Sequence, residues 1–76
     1  MSDLIKRSLS LSGHRTSVAL EPEFWAVLDQ MAARQKLSFS ALVASIDAKR
    51  TPDRPLASAL RVAALMDTSR NEETWP

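Results

Sequence analysis

A chain of 76 residues, 45% of them hydrophobic and with a net charge of +1, is one small globular unit, more apolar than a disordered tail and too short to bury a large core. Cysteine is absent and histidine occurs once, which excludes a disulfide, a thiolate zinc site and a histidine metal cluster. No apolar run approaches the roughly 18 residues of a membrane span, and the N-terminus lacks the apolar stretch of a secretion signal, so no membrane is expected and the expected location is cytoplasmic.

Two alternating runs open the chain. In Lys6 to Ser12 the serines share one parity and Leu9 and Leu11 the other, and in Arg15 to Leu20 the polar residues Arg15 and Ser17 alternate with Thr16, Val18 and Leu20. Gly13-His14 lies between them. A two-residue turn there, with Gly at its first central position as type II′ requires, would pair Ser12 with Arg15 and Leu9 with Val18, so that like faces meet. A hairpin turning at Gly13-His14 is the expectation.

The first helix should begin at Pro22, whose ring presets the first helical φ, with Glu21 and Glu23 at the positive end of the dipole. Phe24, Val27, Leu28, Met31 and Ala32 recur at helical spacing as its buried stripe, Trp25 lies beside that stripe, and the helix should end near Lys36. Ser38 is a good N-cap for a second helix carrying Phe39, Leu42, Val43 and Ile46 on one face, stopped by Thr51-Pro52. A short loop over Thr51 to Pro55 then precedes a third helix from about Leu56 to Met66, apolar on nearly all sides. Residues 1–76 read as a single domain with flexible ends at 1–5 and 67–76. So small an unstapled domain gains most by association, and a homodimer or higher homo-oligomer is expected, its core built from Val18, Leu20, Phe24, Val27, Leu28, Met31, Leu42, Val43 and Ile46 of both chains.

Catalysis has little to work with: there is no Cys or Tyr, no Gly-rich phosphate loop, and the one His sits in a turn. No catalytic residue, metal site or cofactor is expected. Charge is unevenly spread, with Lys6, Arg7 and Arg15 against Asp3 giving +2 over residues 1–20, and Lys36, Lys49, Arg50 and Arg54 against Asp47 and Asp53 giving +2 over residues 36–54. A two-stranded ribbon fits the major groove of duplex DNA, where one parity of its side chains would meet base edges. Here that parity is Arg15, Ser17 and Ala19. Arg15 can bond guanine, Ser17 can donate or accept, and Ala19 can touch a thymine methyl. The start of the second helix, with amides at Ser38, Phe39 and Ser40, is suited to a backbone phosphate, as are Lys6 and Arg7.

The run Arg15-Thr-Ser-Val-Ala-Leu-Glu-Pro-Glu-Phe-Trp25, followed by Leu28, Ala32 and Leu37-Ser-Phe-Ser-Ala-Leu-Val43, resembles ribbon-helix-helix DNA-binding proteins. The match is best to short bacterial members with a Gly-His-Arg-Thr-Ser segment, here Gly13 to Ser17, before a Leu-Glu-Pro-Glu-Phe-Trp run, here Leu20 to Trp25, and an Ala-Leu-Arg-Val helix, here Ala59 to Val62. It covers roughly residues 6–66. The resemblance implies a mainly α fold with an N-terminal β-ribbon, an intertwined homodimer with one strand of the ribbon from each chain, and transcription regulation, with Arg15, Ser17 and Ala19 as base readers and Ser38 to Ser40 as phosphate anchor. The chain departs from the usual pattern by its added N-terminal strand and its third helix. If the added strand pairs with an intertwined ribbon, the dimer carries four strands, too wide at about 4.8 Å each to enter a groove about 12 Å across in the same manner. The alternative reading is therefore a ribbon-helix-helix scaffold for protein contact, antitoxin-like or an adaptor, whose third helix and exposed Trp residues meet a partner.

Overall fold

The computed structural model describes residues 3–72. Strand β1 (Ile5–Leu11) turns back on β2 (His14–Leu20), and three helices follow, α1 (Pro22–Gln35), α2 (Phe39–Ala48) and α3 (Leu56–Glu72). The hairpin is the whole sheet, and the outer edge of β2 has no strand partner among the described residues.

Both strands are therefore supplied by one chain. The turn sits one residue earlier than expected, at Ser12-Gly13, with φ of 50° and 81°. Positive φ at both central residues marks a type I′ turn, whose twist matches that of the flanking strands. Leu11 consequently faces His14, Leu9 faces Thr16 and Ile5 faces Leu20. Under the expected register Lys6 would lie opposite Glu21, beyond the end of the strand, whereas the observed one pairs all seven residues of each strand. The two registers differ by two positions, so every side chain keeps its face.

Ser38 caps α2 as expected, its hydroxyl accepting from the Ala41 amide at 3.1 Å. Helix α1 stops where Lys36 adopts the left-handed conformation, with its amide on the Ala32 and Ala33 carbonyls. Two expectations for the helices need correction. On α1 the buried side chains are Trp25, Leu28, Met31 and Ala32, while Phe24 and Val27 are only partly covered. The helix is packed by α2 and β1 on the Trp25 side and by α3 on the Phe24 side, which turns the indole inward. Helix α3 also runs on past Met66 to Glu72, because no Pro or Gly interrupts residues 67–72. Asp67 is tied to Arg34 at 2.7 Å and the Thr68 hydroxyl donates to the Ala64 carbonyl, so the added turns are held although polar. Of the ends expected to be flexible, residues 1–2 and 73–76, Trp75 included, lie outside the described residues.

The core is closed within one chain. Val18, Leu20, Leu28, Met31, Leu42 and Val43 are buried as expected, and they are joined by Leu9 from β1 and by Ala59, Leu60 and Ala64 from α3. Strand β1 and helix α3, the two additions to the minimal pattern, cover surface that a strand, two helices and nothing else would leave open. No helix among the described residues is long and apolar enough to cross a membrane.

Candidate nucleic-acid interface

Alternation along the hairpin produces two unlike faces. The inner one carries Leu9, Val18 and Leu20 onto the helices, and the outer one carries Lys6, Ser8 and Ser10 from β1 beside Arg15, Ser17 and Ala19 from β2. All six outer residues are exposed except Ala19, which is half-buried. The face holds no carboxylate, and neither Lys6 nor Arg15 makes an ion pair among the described residues. The structure thus brings together Lys6, Arg15, Ser17 and Ala19 from the residues singled out in the sequence. Ser8 and Ser10 were missed because the sequence reading placed base contacts on the second strand alone. Their parity with Lys6 was the available signal.

Arg7 is not brought to this face. Its parity turns it inward, where Nη1 and Nη2 donate to Asp29 Oδ1 and Oδ2 at 3.0 and 3.1 Å. The guanidinium carbon lies 4.6 Å from the centre of the Trp25 ring and 5.0 Å from that of Phe39, with the two rings 5.8 Å apart. A planar cation clamped by a carboxylate over two aromatic faces braces β1 against both α1 and α2. The hydrogen bonds that Arg7 donates to Asp29 raise its pKa, against the opposing effect of partial burial, and the Asp29 charge adds to the rise. Trp25, 2% exposed, completes the brace by donating its indole N–H to the Ile5 carbonyl at 2.7 Å. That indole is therefore core and not an exposed contact for a partner.

The start of α2 adjoins β1 through the same brace, since Phe39 lies under Arg7. Ser38 and Ser40 are exposed and Phe39 is half-buried. The Ala41 amide is taken by the Ser38 hydroxyl, while the Phe39 and Ser40 amides have no protein acceptor among the described residues, as befits the first turn of a helix. Partial positive charge gathers there.

At the other end of the hairpin, Glu21 accepts from Arg61 Nε at 3.0 Å, which ties the strand-to-helix junction to α3. A hydrogen bond from its own backbone N–H, and then that from Arg61, hold the Glu21 carboxyl below the usual carboxylate range. Among the described residues no three His, Cys, Asp or Glu side chains converge to hold a metal ion.

Neither the curated proteins nor the solved structures contain a match to the chain. A family model described as a ribbon-helix-helix domain matches residues 4–68, a span that takes in the hairpin, both following helices and most of α3. By that match and by its order of ribbon, helix and helix, the chain belongs to the ribbon-helix-helix domain family.

Proposed function

We propose that the chain is a homodimeric DNA-binding regulator of transcription that presents the outer face of its own hairpin to the major groove. The observation that carries this reading is the outer face itself: six basic, small or hydroxyl side chains, no acid, on a ribbon only two strands wide. Two strands at a spacing of about 4.8 Å enter a groove about 12 Å across, which a four-stranded sheet does not. Family membership supports the same reading, since ribbon-helix-helix domains are typically DNA-binding regulators.

In this scheme Arg15 bonds a guanine, Ser17 and Ala19 contact neighbouring bases, and Ser8 and Ser10 extend the contact along β1. Lys6 meets a phosphate, and so does the start of α2 through the Phe39 and Ser40 amides with Ser38 as cap. Arg7 acts from beneath, holding β1 in place. The test is selection from a pool of random duplexes at moderate salt with the native chain and with Arg15→Ala. The native chain should enrich one sequence, and Arg15→Ala should lose about 1–3 kcal/mol and its preference at one base pair. Binding by neither protein, or the same preference in both, would overturn groove reading. The protein-contact alternative is separated by salt, because affinity for DNA falls steeply with ionic strength and affinity across an apolar protein interface scarcely changes.

A further inference from the structure

A groove of roughly 430 Å³ opens between the three helices, and no residue of the hairpin lines it. Its floor is apolar, made by Met31 of α1, Leu42 and Ile46 of α2, and Ala59 and Ala63 of α3. Met31, Leu42 and Ala59 are buried and the other two half-buried, so the floor is a preformed part of the core surface. One end is cationic. There the end of α2 and the loop to α3 bring Lys49, Arg50 and Arg54 to the rim. The volume lies at the small end of the range for small-molecule sites, and an apolar cleft with a few convergent polar groups is their usual form.

The three cations have different duties. Arg50 is engaged within the chain, donating from Nε to Asp47 Oδ1 at 2.9 Å and from Nη1 to the Arg54 carbonyl at 2.8 Å, which holds the loop as a wall. Lys49 and Arg54 pair with no carboxylate among the described residues, and Arg54 Nη1 reaches only Ser58 Oγ at 3.4 Å. No Asp or Glu lines the groove, and Asp53, in the same loop, is exposed and makes no ion pair among the described residues. The negative pole of α2 and the positive pole of α3 meet at this end and offset each other, which leaves the two side-chain charges uncompensated. We infer that the groove binds a free amphipathic carboxylate of small-molecule size, its hydrocarbon body on the apolar floor and its carboxylate at Lys49 and Arg54. Charge and surface select that occupant together. A bare anion such as phosphate would leave the floor uncovered, an uncharged hydrocarbon would leave both cations unmet, and a nucleic acid would lay a charged backbone on apolar surface. The planar guanidinium of Arg54 matches a carboxylate at two points, and the stems of both cations can cover hydrocarbon while their heads reach the anion.

The test is titration of the isotope-labelled full chain with octanoate, followed by amide NMR shifts, with 1-octanol as the uncharged counterpart and Lys49→Gln/Arg54→Gln as the variant. In the parent, octanoate should give saturable shifts gathered at Met31, Ile46, Lys49 and Ala63, with a dissociation constant in roughly the millimolar range or below. Octanol should bind the parent about 3- to 30-fold more weakly, the effect of losing two exposed charge contacts. The double variant changes only exposed side chains, so it should keep the parent's spectrum elsewhere, bind octanoate more weakly by a similar factor, and no longer distinguish acid from alcohol. Ala63→Met, which fills the floor, should remove binding of both. The absence of saturable shifts in the parent, equal affinity for acid and alcohol, or unchanged octanoate affinity in the double variant would each overturn the proposal. A change in the sedimenting mass of the parent on adding octanoate would also overturn it, by assigning the groove to a protein contact. DNA enters none of these readouts, so their failure and that of major-groove reading are distinguishable.

Discussion

Replacing Arg7 by Ala removes four contacts of one group: two hydrogen bonds to Asp29 and two aromatic faces, Trp25 and Phe39. An ion pair this exposed contributes about 0.2–1 kcal/mol even with good geometry, and each cation–π contact about 0.5–1 kcal/mol. The contributions share one guanidinium and do not simply add, so a loss of about 2 kcal/mol is expected, much of it from the rings and the buried stem of the side chain. For a domain of this size that lowers the melting temperature by roughly 8–16 °C. Asp29→Ala should cost under about 1 kcal/mol, because the guanidinium keeps both rings, and Arg7→Lys should recover less than half of the loss, because an ammonium lacks the planar fork. Chemical denaturation of the three variants measures all of this. The brace is refuted if Arg7→Ala lies within about 0.5 kcal/mol of the parent while the slope of DNA affinity against salt falls by about one, the mark of a lost phosphate contact.

At the turn, Gly13→Val should cost about 1–3 kcal/mol in a thermal melt, and purely through its backbone, since a Cβ there meets nothing within 4 Å. Ser12→Asn should instead raise the melting temperature, because Asn tolerates the positive φ that Ser12 adopts and Asn-Gly is the favoured type I′ pair. Leu60→Ala should cost about 2–5 kcal/mol by calorimetry if α3 is an integral part of the core, and a negligible change would mean that α3 is an appendage. Glu21 has a folded pKa below its unfolded one, so its contribution to stability is present above the ordinary carboxylate range and is lost as pH falls through that range and below. Glu21→Gln should therefore flatten the acid limb of the stability profile measured by denaturation, and an unchanged limb would remove Glu21 from that account.

Period-2 alternation was enough to assign both faces of the hairpin, and a register shift of two could not disturb them. The turn itself was not legible, because a lone Gly suits the first position of one turn type and the second of another, and the choice depended on Ser12 accepting a positive φ. The stripe of α1 was drawn with Leu28, Met31 and Ala32 where they are but with Trp25 outside it: a helix packed on two sides buries a stripe wide enough that Phe24 and Trp25 compete for it, and the contacts of β1 decided in favour of Trp25. The end of α3 was placed too early because polar residues were read as a tail, whereas the Arg34–Asp67 pair spans 33 positions that periodicity does not see. The contact of Arg7 with Asp29 was out of reach for the same reason, its carboxylate partner being 22 residues away. In the candidate interface, Arg15, Ser17 and Ala19 were legible by parity, and Ser8 and Ser10 joined them once both strands belonged to one ribbon.

A two-residue turn also decides how the ribbon responds to dilution. A ribbon assembled from two molecules dissolves as copy number falls, because its strands meet by collision. A tether of Ser12 and Gly13 keeps β1 beside β2 at an effective concentration of about millimolar or more, whatever the bulk concentration. At nanomolar concentrations the outer face of the hairpin is thus already assembled before any encounter. Formation of the hairpin face is then independent of the number of chains, a property set by the two turn residues Ser12 and Gly13.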